Sequence, residues 1–281
     1  MKLIKPEFKI IEPTGYTIDD IYKSIELAGR VSHKSEDKIT ETSAKDFVGR
    51  MLNMKHLATC EFGTVYLYVH SMYELDVKKY RQNPYSKAVW SNNGHYISTN
   101  YRTLVENNWL DDLKYLCEPT EHHHKRYTVK YICDRAIANE IVRHRKFSFL
   151  QESTRYCRYS ADKFNGEITY IKPCWCDNIK EGKFETYDGL TQEEGCFIHS
   201  LLTAEAQYLY LVNSGWKAEQ ARDILPLALK TELYMCGYVE DWEKFFELRS
   251  KKYGVGNPHP QADELATPLY EEFIKRGYIN E

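Results

Sequence analysis

The run Tyr127-Thr128-Val129-Lys130-Tyr131-Ile132-Cys133 places Tyr127, Val129, Tyr131 and Cys133 at every second position, and Ala136-Ile137-Ala138-Asn139-Glu140-Ile141-Val142 follows with a helical pattern. Period-two spacing lines up one face of a strand, whereas the second run suits a helix. Elsewhere strands, irregular turns and long helices mix without the regular alternation of a doubly wound sheet. The expected fold class is therefore α+β.

Working outward, Gly63 to His70 is β-branched and aromatic and reads as a strand, as does Ile168 to Lys172, closed by Pro173. Thr17 with Asp20, and Ser43 with Asp46, have the spacing that opens helices over Ile18–Ile25 and Phe47–Met54. The strongest helix spans 192–212, capped by Thr191 and Glu194, with Phe197, Leu201, Ala204, Tyr208 and Leu211 as its apolar stripe. Shorter helices are expected over Ala218–Leu225, before Pro226, and over Asp241–Lys251. The stretch from about 75 to 125 has no clean period, only the turn signal Asn92-Asn93-Gly94. No linker or repeat divides the chain.

The 281 residues carry 38 Lys and Arg against 41 Asp and Glu, a formal charge of −3. Between Lys125 and Arg158 nine basic residues meet three acids, a local excess of +6 that leaves −9 on the remainder. A basic segment inside an acidic protein points to anionic small molecules rather than a nucleic-acid coat, which makes a whole domain basic. With 42% hydrophobic and 14% aromatic residues the chain can build a core. A mean hydropathy of −0.61 and the lack of an apolar run near the roughly 18 residues of a membrane span argue against a transmembrane protein. Met1-Lys2-Leu3-Ile4-Lys5-Pro6-Glu7 puts charges and a proline where a signal peptide needs apolar residues. The expected location is the cytoplasm, and the eight cysteines are expected to be mostly free thiols. No metal site is expected: Cys174 and Cys176 are too tightly spaced, and His122-His123-His124 cannot all face one ion.

The densest chemistry lies in Arg143-His144-Arg145-Lys146-Phe147-Ser148-Phe149-Leu150-Gln151-Glu152-Ser153-Thr154-Arg155-Tyr156. Guanidinium forks grip phosphate oxygens, while hydroxyls and a carboxamide bond to sugars and base edges. The mixture suits a nucleotide. A plainer reading is a solvated basic helix end, against which Phe147, Phe149 and Leu150 would hold the segment to the core. A competing functional reading is a single-strand nucleic-acid binder stacking bases on Tyr127, Tyr131, Phe147, Phe149, Tyr156 and Tyr159.

Arg143-His144-Arg145, seven residues, then Ser153-Thr154-Arg155 resembles the signature of the flavin-dependent thymidylate synthases. Five further blocks similar to that family follow its order: Gly29-Arg30-Val31-Ser32; His56 with Glu61; Ala221-Arg222-Asp223-Ile224-Leu225-Pro226; Phe245-Phe246-Glu247-Leu248-Arg249; and His259-Pro260-Gln261. The likeness covers most of the chain outside roughly 64–125 and 157–195. It implies a single domain over 1–281 with a family-variable insertion at about 64–125, built on a central twisted, largely antiparallel sheet flanked by long helices.

The implied activity is reductive methylation of dUMP at C5 with 5,10-methylenetetrahydrofolate as carbon donor and NADPH as reductant through FAD. A homotetramer with active sites at subunit interfaces is implied too, without nucleic-acid or membrane partners. By the same resemblance Arg143, His144, Arg145, Gln151 and His56 bind FAD, and Glu140, Arg143, Gln151, Glu152, Ser153, Arg155, Arg222 and Arg249 bind dUMP. Arg249 is the implied catalytic residue, a fixed cation for charge developing at N3 or O2 of the ring as C5 becomes nucleophilic. Ser153 has two readings, nucleophile or phosphate ligand; a nucleophile needs an adjacent base. The chain departs from the family at Glu140, where glutamine is common; at Leu150-Gln151, in place of Asn-Glu; at Gly237-Tyr238-Val239-Glu240, where Asn and Arg help hold FAD; and between His56 and Glu61, where a Thr-Pro is common.

Overall fold

The computed structural model describes residues 1–73, 75–161 and 164–280. In chain order the strands are β1 (Lys2–Ile4), β2 (Glu7–Ile11), β3 (Thr64–His70), β4 (Lys87–Ser91), β5 (Gly94–Asn100), β6 (Arg126–Asp134), β7 (Ser148–Gln151), β8 (Thr169–Ile171), β9 (Gly182–Lys183) and β10 (Lys230–Tyr238). The helices are α1 (Ile18–Gly29), α2 (Ser43–Asn53), α3 (Lys78–Gln82), α4 (Tyr101–Glu106), α5 (Arg135–Ile141), α6 (Gln192–Asn213), α7 (Ala218–Ala221), α8 (Val239–Arg249) and α9 (Pro260–Lys275).

The expected antiparallel sheet has the order β2-β6-β10-β7, every neighbour antiparallel. Leu233 lies opposite Tyr131 and Met235 opposite Val129. These residues share one core with Ile137 and Ile141 of α5, Trp242, Phe245 and Phe246 of α8, and Leu265, Leu269 and Phe273 of α9. On the opposite face Tyr234 and Cys236 pack on Ala28, Val31 and Phe62. Both β6→α5 and β10→α8 pass from strand to helix without a loop. At the first junction Asp134 caps α5, its carboxylate accepting from the Ile137 N–H at 2.7 Å and from Gln261 Nε2 at 2.7 Å.

Two smaller sheets accompany the central one among the described residues. The stretch without clean period supplies β4 and β5, a hairpin closed by Asn92 and Asn93, both at positive φ, which joins β3 in an antiparallel sheet of order β3-β5-β4 packed on α1, α2 and α4. Asparagine tolerates that left-handed backbone, which makes the pair a hairpin turn. The third sheet, β8-β1-β9, includes the parallel β1–β8 pair and rests on α6.

Reciprocal capping boxes at Thr17–Asp20 and Thr191–Glu194 open α1 and α6 as expected. Ser43, by contrast, is the first helical residue of α2; its hydroxyl accepts from the Thr40 N–H and donates to Glu26 instead of capping. The core face of α6 is Ile198, Leu201, Tyr208 and Val212, turned from the expected stripe so that Phe197 and Leu211 flank it. All eight cysteines are free thiols. Among the described residues no helix is long and apolar enough to cross a membrane.

Candidate active site

At the end of α5 the backbone turns through 143–147, held by Arg143 N–H to Glu140 O at 3.2 Å and Phe147 N–H to His144 O at 3.1 Å. The chain then enters β7 beside β10. This turn sets the His144 ring against Phe147 and Phe245. From the last turn of α8, Arg249 donates Nε–H to His144 Nε2 at 3.1 Å, Nη1 to the Glu140 carboxylate, and Nη2 to the Glu140 carbonyl at 3.2 Å. An arginine N–H can only donate, so His144 Nε2 must accept and the ring proton lies on Nδ1. Burial, and then the Arg249 charge, push the His144 pKa down to about 4, leaving the ring neutral at pH 7. Arg143 and Arg145 are exposed, and among the described residues neither side chain has an ion pair or hydrogen bond.

A second group forms beyond β7. The Ser153 N–H donates to Ser32 O at 3.1 Å, and the Arg155 N–H to Ser153 Oγ at 3.2 Å. Arg155 pairs with Glu219 of α7 at 2.9 Å, and Arg222 reaches Thr154 Oγ1 at 3.4 Å. Tyr156 stacks on His33. The Gly29–Ser32 block thus braces this segment, with Arg30 in turn held by the buried Glu26 at 2.6 Å. Among the described residues no base is hydrogen-bonded to Ser153 Oγ, which accepts from the Arg155 N–H. Thr154, Glu219, Ser32 and His33 were not named as site residues from sequence, although Thr154 and Ser32 lay inside quoted blocks.

Glu152 faces inward. Its carboxylate, 1% exposed as a residue, takes Lys230 at 2.8 Å and the Tyr159 hydroxyl at 3.3 Å. Lys230 also meets Glu232 at 2.6 Å, and Glu232 pairs with Lys34 and Lys130. Opposing lysines, against the cost of burial, bring the Glu232 pKa down to about 2. Gln151 donates to Thr231 Oγ1 at 3.2 Å. His56 is exposed at the start of the 57–62 turn, which packs on β7; among the described residues no side-chain bond joins it to either group.

The departures at 238 and 240 have a structural partner. The Tyr238 hydroxyl meets the carbonyls of Ser98 at 2.8 Å and Tyr85 at 3.0 Å, and Glu240 pairs with Lys87 at 2.8 Å and with His124. Both residues fasten the β4–β5 hairpin to the central sheet, a role that spacing does not announce.

The aromatic residues of the nucleic-acid reading are largely withdrawn from solvent. Tyr131, Tyr159 and Phe147 are buried, Phe149 packs on the core, and Tyr127 stacks on Tyr278 with centroids 3.9 Å apart. Only Tyr156 of the six is exposed, so a row of stacking platforms is absent.

Comparison with known proteins places the chain among its relatives. A flavin-dependent thymidylate synthase from Synechocystis is 30% identical over 125 residues, 43% of this chain and 55% of that protein. One from Pyrococcus furiosus is 31% identical over 149 residues, 52% of this chain and 53% of its own length. A probable flavin-dependent thymidylate synthase from Paramecium bursaria Chlorella virus 1 is 30% identical over 154 residues, 53% and 66% respectively. The chain thus matches roughly half to two thirds of these relatives' length. A UMP/dUMP methylase from Streptomyces cacaoi, solved with 5-Br dUMP, aligns over 98% of this chain and 93% of its own at 15% identity and a TM-score of 0.48. The family model for thymidylate synthase complementing protein matches residues 84–276, from β4 through the last turn of α9. With most of the chain inside that match, the protein belongs to the thymidylate synthase complementing protein family, that of the flavin-dependent thymidylate synthases.

Proposed function

We propose that this protein converts dUMP to dTMP, taking the carbon from 5,10-methylenetetrahydrofolate and the reducing equivalents from NADPH through bound FAD. The observation that carries the reading is the meeting of Arg249 with His144 and Glu140, more than a hundred positions away in sequence. Two blocks that would otherwise be a surface arginine and a basic loop become one polar site on the helix-covered side of the sheet.

The residues fit an anionic dinucleotide: Arg143 and Arg145 are exposed guanidiniums with no side-chain partner to displace among the described residues. In this reading they hold the FAD phosphates, with neutral His144 and Gln151 beside the flavin and His56 closing on it from the 57–62 turn. FAD, when bound, supplies the redox chemistry. Ser153, Arg155 and Arg222 bind the dUMP phosphate; the arginines exchange their exposed contacts with Glu219 and Thr154 for a dianion. Gln151 offers donor and acceptor to the base edge, and Glu152, through Lys230, supports the segment from beneath. Arg249 stabilises negative charge at N3 or O2 while C5 attacks the carbon donor.

The reading includes a single domain with the β3–β5 region as a family-variable insertion, a cytoplasmic location and a homotetramer with composite sites. The test is optical: purified protein should carry a flavin absorption spectrum that dUMP perturbs, with NADPH oxidation responding to dUMP. A protein that neither takes up FAD nor binds dUMP, yet binds oligonucleotides with a steep salt dependence, would restore the nucleic-acid reading.

A further inference from the structure

We propose that Glu140 and His144 are positioning residues that fix the Arg249 guanidinium, and that Glu140 acts on the reaction through Arg249 rather than by touching the nucleotide. This rests on the reading of Arg249 as the group facing the pyrimidine ring.

A guanidinium has five N–H donors in one plane. Glu140 holds Nη1 with its carboxylate and Nη2 with its own backbone carbonyl at 3.2 Å, so one residue fixes two nitrogens. His144 holds the third, Nε, at 3.1 Å. Glu140 lies in the last turn of α5 and His144 in the hydrogen-bonded turn that follows it, so the two set the plane of the fork from adjoining positions, leaving two donors for anything beyond it. A free arginine side chain samples many rotamers; that freedom is already removed before substrate arrives. The imidazole is fixed too, between Phe147 and Phe245.

The groups facing His144 are Arg249 from α8, Glu140 from α5 and the two phenyl rings. Protonating the ring would turn Nε2 into a donor against a donor and set like charges in contact, breaking the hold on Nε and leaving Arg249 to Glu140 alone. The three-point hold therefore requires a neutral His144. Glutamine at 140 keeps an acceptor for Nη1 without the charge, whereas alanine keeps only the backbone carbonyl.

The experiment compares Glu140→Ala, Glu140→Gln, Arg249→Ala and the double variant Glu140→Ala/Arg249→Ala. Glu140→Ala is expected to lower kcat about tenfold with KM for dUMP changed less than about twofold, Glu140→Gln to recover most of the loss, and the double variant to be no worse than Arg249→Ala alone. A large rise in KM at unchanged kcat, or additive losses in the double variant, would overturn the proposal. Nitrogen NMR of His144 gives a readout independent of turnover. The wild type should show a single Nδ1–H tautomer at pH 7; Arg249→Ala should raise the His144 pKa toward the ordinary value, and Glu140→Ala should disturb the tautomer. If wild-type protein makes no dTMP, the functional reading fails while the NMR arm still decides the positioning. An unchanged His144 signal in both variants overturns it.

Discussion

Arg249 ends a helix and Arg155 lies in a turn, and their surroundings differ. Arg249 is held on three nitrogens, while Arg155, 58% exposed in its side chain, has one acidic neighbour that a phosphate can replace. Arg249→Ala is expected to cut turnover about 100-fold or more with FAD still bound, whereas Arg155→Ala should mainly raise KM for dUMP. Steady-state kinetics with flavin absorbance separate the two; full turnover in the Arg249 variant would remove it from the mechanism. His144 makes a pH prediction. Its folded value near 4 lies below the ordinary value near 6.5, so the unfolded chain takes the proton first. Its contribution to stability is complete above the ordinary value, falls as pH drops toward 4 and levels off below. Urea unfolding should show this as a loss of at most about 3 kcal/mol over that window, absent in His144→Gln. An equal slope in the variant would show that another group titrates.

At the scale of elements, legibility followed burial on one face or two. β6 alternates because only its Tyr127–Cys133 set faces the helical core, and α1 and α6 announce themselves through reciprocal capping boxes. β10, the other central strand, escaped notice: it is covered on both faces, so Leu233-Tyr234-Met235-Cys236 shows no period, and it carries the charged Lys230 and Glu232. β7 was hidden inside a segment read for its charge, and α9, which starts with Pro260 at its first position, carries Pro268 in its interior, which argues against a helix from sequence alone. Of the candidate site, the Arg-His-Arg and Ser-x-Arg groups stood out in sequence as a cluster of cations and hydroxyls. The pairing of Glu140 with Arg249 was not, because it depends on how α8 folds back over α5. The inward course of Glu152 depends likewise on Lys230 of β10. Lys230→Ala would leave Glu152 and Glu232 buried without their shared cation and should destabilise the protein by about 3–5 kcal/mol. Chemical denaturation measures it, and a loss below about 1 kcal/mol would mean that water or rearrangement replaces the lysine.

For the whole molecule, the charge contrast has a structural meaning. The basic run 125–158 crosses the central sheet as β6, turns past the Glu140–His144–Arg249 group, returns as β7 and ends at the Ser153–Arg155 group. Several of its charges are internal, with Lys130 spent on Glu232 and Arg126 on the Glu61 carbonyl; Arg143 and Arg145 remain open to a ligand. If active sites are shared between subunits, mixing Arg155→Ala with Arg249→Ala protein should restore part of the turnover that each lacks alone. No recovery after mixed refolding would place both arginines in one subunit's site. The most direct measurement is formation of dTMP by the purified protein from dUMP, methylenetetrahydrofolate, NADPH and FAD. The proposed activity requires dTMP to appear with all four components and to fall away when dUMP, methylenetetrahydrofolate or NADPH is omitted or the bound FAD is stripped, whereas folded, flavin-loaded protein that forms no dTMP would contradict it.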